Sequence, residues 1–394
     1  MSLDTEQAQA PPRSGAVRRA LAAIALPVAA TFTVTAAVAL AACSAPSPAG
    51  SSPAAASATE VVALPTAPAA AVQTLSETGS SLMAPLFALW GPAYHSRFSQ
   101  VTLRTTSSSS GTGIKSAAGG TADIGASDAY LSPATLAKHP HLVNIPLAVA
   151  ALMVVYNVPG ISPATHLRLD GNLLARIYAG QITRWDDPAI GAVNPGVKLP
   201  GTGIVLVHRG DDSGSTFLFT SYLNAQDPSG WSGSLIGTTI AWPRRPGELS
   251  AAGTDAIISG VRSAPGAIGY VGVSYLSQVR AAGEGEAALG NSSGSYPLPT
   301  AGTIQAALAS FPNAPASETI SLVNGSGARA YPIINYEYAI VDTSQTSAVR
   351  ARDLRAFLGW AITSGAAQLA RVNFQPLPSS VVTLSGTQIA TIKG

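Results

Sequence analysis

The sequence predicts an α/β protein built as two lobes, and three observations support this fold class. Apolar strand patterns alternate with helical patterns in the first third of the chain, as in βα units on a mostly parallel sheet. Two long apolar segments, 146–156 and 331–342, indicate buried strands that could carry the chain out of one lobe and back. Hydroxyl- and glycine-rich loops recur where strands end and helices begin, which is where α/β sheets bind ligands.

The same patterns place the elements in order. The expected elements are strands at 73–76, 101–105 and 121–126, helices at 82–100 and 113–118, a helix around 217–223, and a helical end at 349–370. Pro85 suits the first turn of the helix that starts at Leu82, because a proline there loses no helical hydrogen bond. The folded body is expected to start near Val72.

The N-terminal segment has the composition of a targeting sequence followed by a tether. Two arginines precede an uncharged run at 20–42, which ends in Leu-Ala-Ala before Cys43. This order predicts a lipoprotein signal peptide over 1–43, cut at Cys43, whose thiol receives a lipid. Residues 44–71 are rich in Ala, Pro and Ser and predict a disordered linker. The alternative is an uncleaved membrane-spanning helix; either way, the body is expected outside the cytoplasm.

Composition and charge exclude several functions. Charged residues make up 11% of the chain, and removing 1–43 leaves 19 basic and 18 acidic residues, a net charge of +1. Without a basic cluster the protein is not expected to bind nucleic acid, so any anion site must be local and built from neutral donors. The single cysteine excludes a disulfide, and the five histidines form no metal-binding motif, so neither a metal nor a cofactor is expected.

The segment 208–216 carries the strongest functional signal. Directly before the expected helix around 217–223 stand Arg209, Asp211, Ser213, Gly214 and Ser215. A small-residue loop that opens a helix presents unpaired N–H donors and the positive end of the helix dipole. The arginine adds a planar fork suited to phosphate. The segment therefore predicts an anion site.

Three other loops share this character. They are 77–82 with Ser81 and the backbone of Leu82, 107–113 with Ser110, and 125–129 with Asp128. Taken singly, each is typical of an ordinary cap or turn: Ser81 suits an N-cap, and Asp128 suits a cap for a helix beginning at Pro133. Four such loops on the same side of βα units favour one shared site.

These motifs resemble those of the substrate-binding lipoproteins of bacterial high-affinity phosphate ABC transporters. The matching segments lie between about residues 74 and 377 and include 78–85, 109–115, 122–132, 184–188, 194–196, 209–216 and 265–271. The Gly-Ala-Ser-Asp-Ala and Arg-x-Asp-x-Ser-Gly patterns are the most specific. The resemblance implies a two-lobed periplasmic-binding-protein-like fold of type II, in which two crossing hinge strands let the lobes close on phosphate.

The resemblance also implies lobe boundaries, ligands and partners. Lobe one is expected over 72–152 and 331–394, and lobe two over 153–330. The implied phosphate ligands are Ser81, the Leu82 N–H, Ser110, Asp128, Arg209, Ser213, the Gly214 N–H and Ser215, with Asp211 holding Arg209. The implied partners are inorganic phosphate and ABC permease subunits. The protein is expected to be a lipid-anchored monomer on the extracytoplasmic face of the membrane, and not an enzyme.

Asp128 gives this resemblance a physical reason. A carboxylate only accepts hydrogen bonds, so it suits phosphate, which carries a proton near pH 7, and repels sulfate, which carries none. Two facing acceptors without a proton between them cost on the order of 2–5 kcal/mol.

Other readings of the site remain open. One is a binding protein for another oxyanion, such as sulfate or molybdate, against which the pairing of Asp128 with Arg209 argues. Asp212-Ser213-Gly214 is similar to the Gly-Asp-Ser-Gly of serine proteases, but no histidine stands in a suitable motif for a hydrolase. A phosphate-binding P-loop at 111–116 fails because Ile114 separates glycine from lysine. The sequence gives His208 no role.

Overall fold

The computed structural model describes residues 63–243 and 246–394. The signal peptide, the lipidation site Cys43 and most of the linker lie outside the described residues, so these expectations stay predictions. Among the described helices, none combines the length and the apolar character that crossing a membrane requires.

The first part of the described chain alternates strands and helices. Its elements are β1 (Gln73–Ser80), α1 (Ala84–Arg97), β2 (Val101–Ser108), α2 (Ser110–Ala118), β3 (Ile124–Ser127), α3 (Pro133–Lys138) and β4 (Leu142–Asn157). Helix α2 begins earlier than the expected residue 113. The hydroxyl of Ser109 caps it by accepting a hydrogen bond from the N–H of Thr112.

The middle of the chain forms shorter elements. They are β5 (Arg168–Leu169), α4 (Gly171–Tyr178), α5 (Pro188–Val193), β6 (Val205–Arg209), α6 (Gly214–Gln226), β7 (Leu249–Ala251), α7 (Thr254–Ser263), β8 (Ala267–Gly272), α8 (Leu276–Ala281), β9 (Gly285–Glu286), β10 (Ala288–Leu289) and α9 (Ala301–Leu308). Single 3₁₀ turns lie at Pro163–Thr165, Gly233–Leu235 and Val273–Tyr275. Asp170 and Asp187 cap α4 and α5 through their side chains.

The C-terminal part returns to the main sheet and ends in helices. Its elements are β11 (Ile334–Asp342), α10 (Ala348–Ala361), a 3₁₀ helix (Ser364–Val372) and α11 (Ser379–Ala390). The helical end expected at 349–370 is therefore divided between α10 and the 3₁₀ helix. Helix α11 was not expected from the sequence.

One sheet of nine strands joins both halves of the described chain. Its order is β2-β1-β3-β11-β4-β8-β6-β7, with β9 also paired to β4. Residues 142–151 of the long strand β4 pair antiparallel with β11, and residues 152–157 pair antiparallel with β8. We call the half with β1, β2, β3 and β11 lobe one, and the half with β6, β7 and β8 lobe two.

This arrangement confirms the predicted fold class. The two long apolar segments are β4 and β11, which lie side by side at the junction of the lobes. Strand β4 is buried along most of its length and serves both lobes. The lobe boundaries given above stay a prediction.

A close approach of backbones fixes the end of β1 against β3. Gly79 has a φ of +149°, and a Cβ added to it would lie 2.1 Å from the carbonyl oxygen of Ala126. Only glycine fits there, because a side chain would collide with β3. The glycine therefore lets the ends of β1 and β3 lie side by side, which brings the residues that follow them together.

The folded body begins earlier than expected. The N–H of Ala69 donates to Asp353 at 2.6 Å, and Nε of Arg352 donates to the carbonyl of Ala67 at 3.4 Å. Leu64 packs against the core beside Gly359. The last residues of the expected linker therefore pack along α10, and the start near Val72 is corrected toward residue 64.

Candidate functional site

The predicted ligand loops meet where the two lobes face each other. The carboxyl ends of β1 and β3 lie in lobe one, and the carboxyl end of β6 lies in lobe two. Helices α2 and α6 begin at the same place, so their N-termini point toward the strand ends. This convergence follows from the parallel pairing of strands within each lobe.

Asp128 lies at the centre of the site. It follows β3 and is only 2% exposed. Ser80 of lobe one donates to its Oδ1, and Ser215 of lobe two donates to its Oδ2 at 2.8 Å. Burial raises the pKa of Asp128, while hydrogen bonds from Ser80 and Ser215 and the charge of Arg209 oppose that rise. Both lobes therefore hold the same carboxyl group.

Arg209 ends β6 and is 4% exposed. Its Nε donates to Oδ1 of Asp211 at 2.5 Å, and its Nη2 is paired with Oδ2 of the same residue. Its Nη1 donates to the hydroxyl of Ser81 across the cleft at 3.2 Å. Asp211 thus occupies one edge of the guanidinium and fixes its plane, and the other edge faces lobe one.

Helix α6 directs its N-terminus at Asp128. Ser213 caps the helix by accepting from the N–H of Thr216 at 3.4 Å. Gly214 and Ser215 occupy the first turn, where N–H groups have no acceptor within the helix. A Cβ on Gly214 would lie 2.5 Å from Ser110 Oγ and 2.7 Å from Asp128 Cβ, so the helix touches lobe one here.

Three predicted ligands lie at the site with partners from the protein itself. The hydroxyl of Ser81 is hydrogen-bonded to Thr254 at 2.8 Å, across the cleft. The N–H of Leu82 donates to Ser80 Oγ at 3.1 Å. The hydroxyl of Ser110 accepts from the N–H of Asp128 at 3.2 Å. All the predicted ligand residues are therefore brought together.

The capping roles considered for Ser81 and Asp128 are wrong. Helix α1 follows Met83 and has no side-chain cap, and α3 is capped by Ser132, which accepts from the N–H of Thr135. Both side chains are instead directed into the cleft, where they meet lobe two. Neither side chain is therefore used to cap a helix.

Sequence reasoning missed Ser80, Asn335 and Glu337. Ser80 accepts from the N–H groups of Leu82 and Met83 as well as donating to Asp128. Nδ2 of Asn335 donates to the backbone carbonyl of Asp128 at 2.5 Å. Glu337 lies two residues further along β11 and is fully buried. The only sequence feature that pointed to Ser80 was its position next to Ser81. No local sequence pattern indicated Asn335 or Glu337.

His208 lies behind the site and packs against aromatic rings. Its Nδ1 donates to the backbone carbonyl of Arg209 at 3.1 Å. Its ring stacks on Trp242 with centroids 4.8 Å apart. This packing supports the end of β6, which gives the residue the structural role that its sequence position did not indicate.

Further contacts hold the lobes together around the site. Lys115 forms an ion pair with Asp212 at 3.0 Å, and the N–H of Gly111 donates to the Asp212 carbonyl at 2.9 Å. Near the hinge, Tyr275 donates to the carbonyl of Ser81 at 2.8 Å. The lobes are therefore closed in this structure. Between their rims lies a cavity of about 470 Å³, lined by Ser107, Ser108, Ser109, Thr112, Asp211, Ala252, Gly253, Thr254 and Asp255.

The donor set of the site suits an oxyanion rather than a metal. Hydroxyls, N–H groups and one guanidinium face a single carboxyl group. In the described part of the chain, no group of three or more His, Cys, Asp or Glu side chains could hold a metal ion. The hydroxyl of Ser213 caps a helix, a structural use that differs from that of a hydrolase nucleophile.

Fold and site together define a two-lobed solute-binding protein, and comparison with known proteins gives the family. Residues 64–364 match the model of the PBP superfamily domain. The phosphate-binding protein PstS of Xylella fastidiosa (strain Temecula1) is 32% identical over 323 residues, covering 80% of this chain and 86% of the relative. PstS of Haemophilus influenzae is 29% identical, covering 84% and 97%. The chain therefore belongs to the PBP superfamily and, within it, to the PstS phosphate-binding proteins.

A solved structure supports the same fold. The crystal structure of a phosphate-binding protein from Stenotrophomonas maltophilia superposes with a TM-score of 0.62 at 19% identity, covering 81% of this chain and 93% of that one. Membership in a family of binding proteins excludes the serine hydrolase considered from the sequence.

Proposed function

We propose that this protein binds inorganic phosphate outside the cytoplasm and delivers it to the permease of an ABC transporter. The observation that carries the proposal is Asp128, a buried carboxyl group held by hydroxyls of both lobes and facing the cationic Arg209. The proposal agrees with the names of the relatives reported above.

The donors of the site match a phosphate ion. The N–H groups that open α6, the hydroxyls of Ser81, Ser110, Ser213 and Ser215, and one edge of Arg209 all lie around the same point. These groups can donate to oxygens of a desolvated anion, and the guanidinium supplies the only full positive charge among them. A mostly neutral site is consistent with the small net charge of the chain.

Asp128 supplies the selectivity. In the closed structure its Oδ2 accepts from Ser215. When phosphate binds, a protonated oxygen donates to Asp128, and the hydroxyl of Ser215 turns toward the anion. Sulfate has no proton to give, so it would leave two acceptors facing each other.

Entry of the anion requires the lobes to separate. Asp128 and Arg209 are almost completely buried, and they lie in different lobes. The hinge of this proposal is the point where β4 passes from β11 to β8, beside the start of β11, and the change of pairing partner there supports it. Because phosphate contacts both lobes, it favours the closed form, which the permease then recognises.

Calorimetric titration of the purified chain with phosphate, arsenate and sulfate tests this proposal. Phosphate should bind at one site per chain, arsenate should compete because its shape and protonation are similar, and sulfate should not bind at neutral pH. Phosphate should also raise the melting temperature, because it binds only the folded protein. Sulfate or molybdate binding as tightly as phosphate would instead favour a binding protein for another oxyanion.

We also propose that the protein is a monomer anchored through a lipid on Cys43, with the signal peptide removed. The support is the order of charges, apolar run and small residues before Cys43, the only thiol in the chain. Cys43→Ser should release the protein from the membrane fraction while leaving phosphate binding intact. A Cys43→Ser protein that stays with the membrane would favour the uncleaved helix.

A further inference from the structure

Glu337 interacts with Asp128, and each residue stands next to the last paired residue of its strand. Strands β3 and β11 are antiparallel, with Ser127 paired to Tyr338 and Ala126 paired to Ala339. Continuing this register by one residue places Asp128 opposite Glu337. Directly opposed residues project to the same face of a sheet with neighbouring side chains, and like charges in such a pair are destabilising.

The surroundings of Glu337 do not suit an ionised carboxylate. The residue is fully buried, and neither side-chain oxygen has a hydrogen-bond donor among the described residues. Its partner on β4 is the apolar Ala148. The carboxyl of Asp128 acts on Glu337 electrostatically, and it can donate nothing when ionised. A single proton lets one carboxyl group donate to the other and removes the repulsion between two facing acceptors.

We propose that Glu337 is a neutral acid that donates its proton in a hydrogen bond to Asp128 and thereby keeps Asp128 an acceptor toward the ligand. This inference rests on the proposed function and names the residue that maintains its selectivity. Glu337 does not touch the ligand; it is a positioning residue that acts through Asp128.

The charges around the pair agree with this assignment. Burial and the neighbouring Asp128 both hold the pKa of Glu337 well above its usual range. The titratable groups that interact electrostatically with Glu337 are Asp128, which follows β3, and Tyr338, its neighbour along β11. The nearby cation, Arg209, acts on Asp128 and favours its ionised form. The proton of the pair is therefore placed on Glu337, because the guanidinium favours the ionised form of Asp128.

Selectivity follows from where the proton lies. Asp128 is buried, and without the donor on Glu337 its own tendency to take up a proton increases. A protonated Asp128 can donate to a sulfate oxygen, so sulfate would no longer be rejected. The selectivity of the site therefore depends on Glu337, a residue that the ligand does not contact.

Three variants of the full chain test this assignment. Glu337→Gln keeps an N–H donor, Glu337→Leu removes it, and Glu77→Gln is the control, because Glu77 is another buried carboxyl group of lobe one. The ratio of sulfate to phosphate dissociation constants should fall at least about tenfold in Glu337→Leu, since a hydrogen bond to a charged group is lost. It should change by less than about threefold in Glu337→Gln and in the control. An unchanged ratio in Glu337→Leu, or an equal loss in Glu337→Gln, would overturn the proposal.

An infrared difference spectrum reads the proton directly and needs no ligand. The spectrum of the natural chain minus that of Glu337→Gln at neutral pH should contain the carbonyl stretch of a neutral carboxylic acid. Its absence would mean that Glu337 is ionised and would overturn the assignment, even if Glu337→Leu does not fold. If the natural chain bound no phosphate, the proposed function would fail, while this band would still decide the position of the proton.

Discussion

Replacing Gly214 with alanine tests whether closure of the lobes is needed to hold the anion. The added Cβ would lie 2.5 Å from Ser110 Oγ, 2.7 Å from Asp128 Cβ and 3.0 Å from the backbone nitrogen of Ala129. Gly214 belongs to α6 of lobe two, and the three neighbours belong to lobe one. Opening the lobes therefore removes all three contacts, and the substitution penalises only the closed form.

The size of the effect follows from these distances. Forcing an extra carbon into a packed contact costs typically about 1–3 kcal/mol. Asp128 Cβ and the Ala129 nitrogen cannot swing away as a side-chain end can, so we expect the upper end of that range. At about 1.4 kcal/mol per tenfold, the phosphate dissociation constant should rise about 100-fold. Stability without phosphate should not fall, because alanine in a helix is favoured over glycine by about 0.4–1 kcal/mol.

Titration calorimetry gives the affinity, and small-angle scattering with and without phosphate gives the degree of closure. Gly191→Ala is the matched control: it also lies in a helix of lobe two, and an added Cβ there has no atom within 4 Å. The control should bind phosphate like the natural chain. Gly214→Ala binding within about threefold of the control would refute the reasoning, because the closed contact would then not be required.

Three further expectations follow from the site and the core. Arg209→Ala should weaken phosphate binding more than Ser110→Ala in the same titration, because charge-assisted hydrogen bonds contribute about 1.5–3 kcal/mol and neutral ones about 1. Asp211→Ala should also weaken binding, since it frees the guanidinium; affinity equal to that of the natural chain would remove that role. Burial raises the pKa of Glu77 from 4.5 to about 8, so the folded chain holds a proton that the unfolded chain loses between these values. The protonated Glu77 therefore contributes its full stability below pH 4.5, and this contribution is lost as the pH rises to about 8. The urea midpoint of unfolding should fall with pH over that range, and Glu77→Gln should make this fall smaller.

Local sequence patterns were sufficient to predict the class of fold and to find the candidate residues next to turns. The apolar run of β4 and the loop after Arg209 each carry their signal within a few residues, because burial and helix capping act locally. Helix α11 was missed because its sequence, rich in Ser, Thr and Val, has weak helix propensity, and its place depends on packing.

The partners of Asp128 could not be predicted in the same way. Glu337 becomes its neighbour only through the register between β3 and β11, and the pairing of strands distant in sequence is a property of the folded sheet. Ser80 and Ser81 are equivalent in sequence, and only the geometry at the end of β1 decides which hydroxyl bonds Asp128 and which meets lobe two. The resemblance to known motifs gave Ser81 as an expected ligand and did not include Ser80.

The position of β11 in the sheet has a consequence for how the chain acquires its structure. In the sheet, β11 lies between β3 and β4. In the sequence, it comes after both of them, separated from β4 by almost all the elements of lobe two. Until residues 334–342 are synthesised, the facing edges of β3 and the first part of β4 lack the strand that pairs with them. Pairings between such distant segments form slowly, and open apolar edges are sites of aggregation. The half of the sheet that holds Asp128 is therefore the last to be completed, and a chain that stops before Ile334 lacks the strand that completes its site.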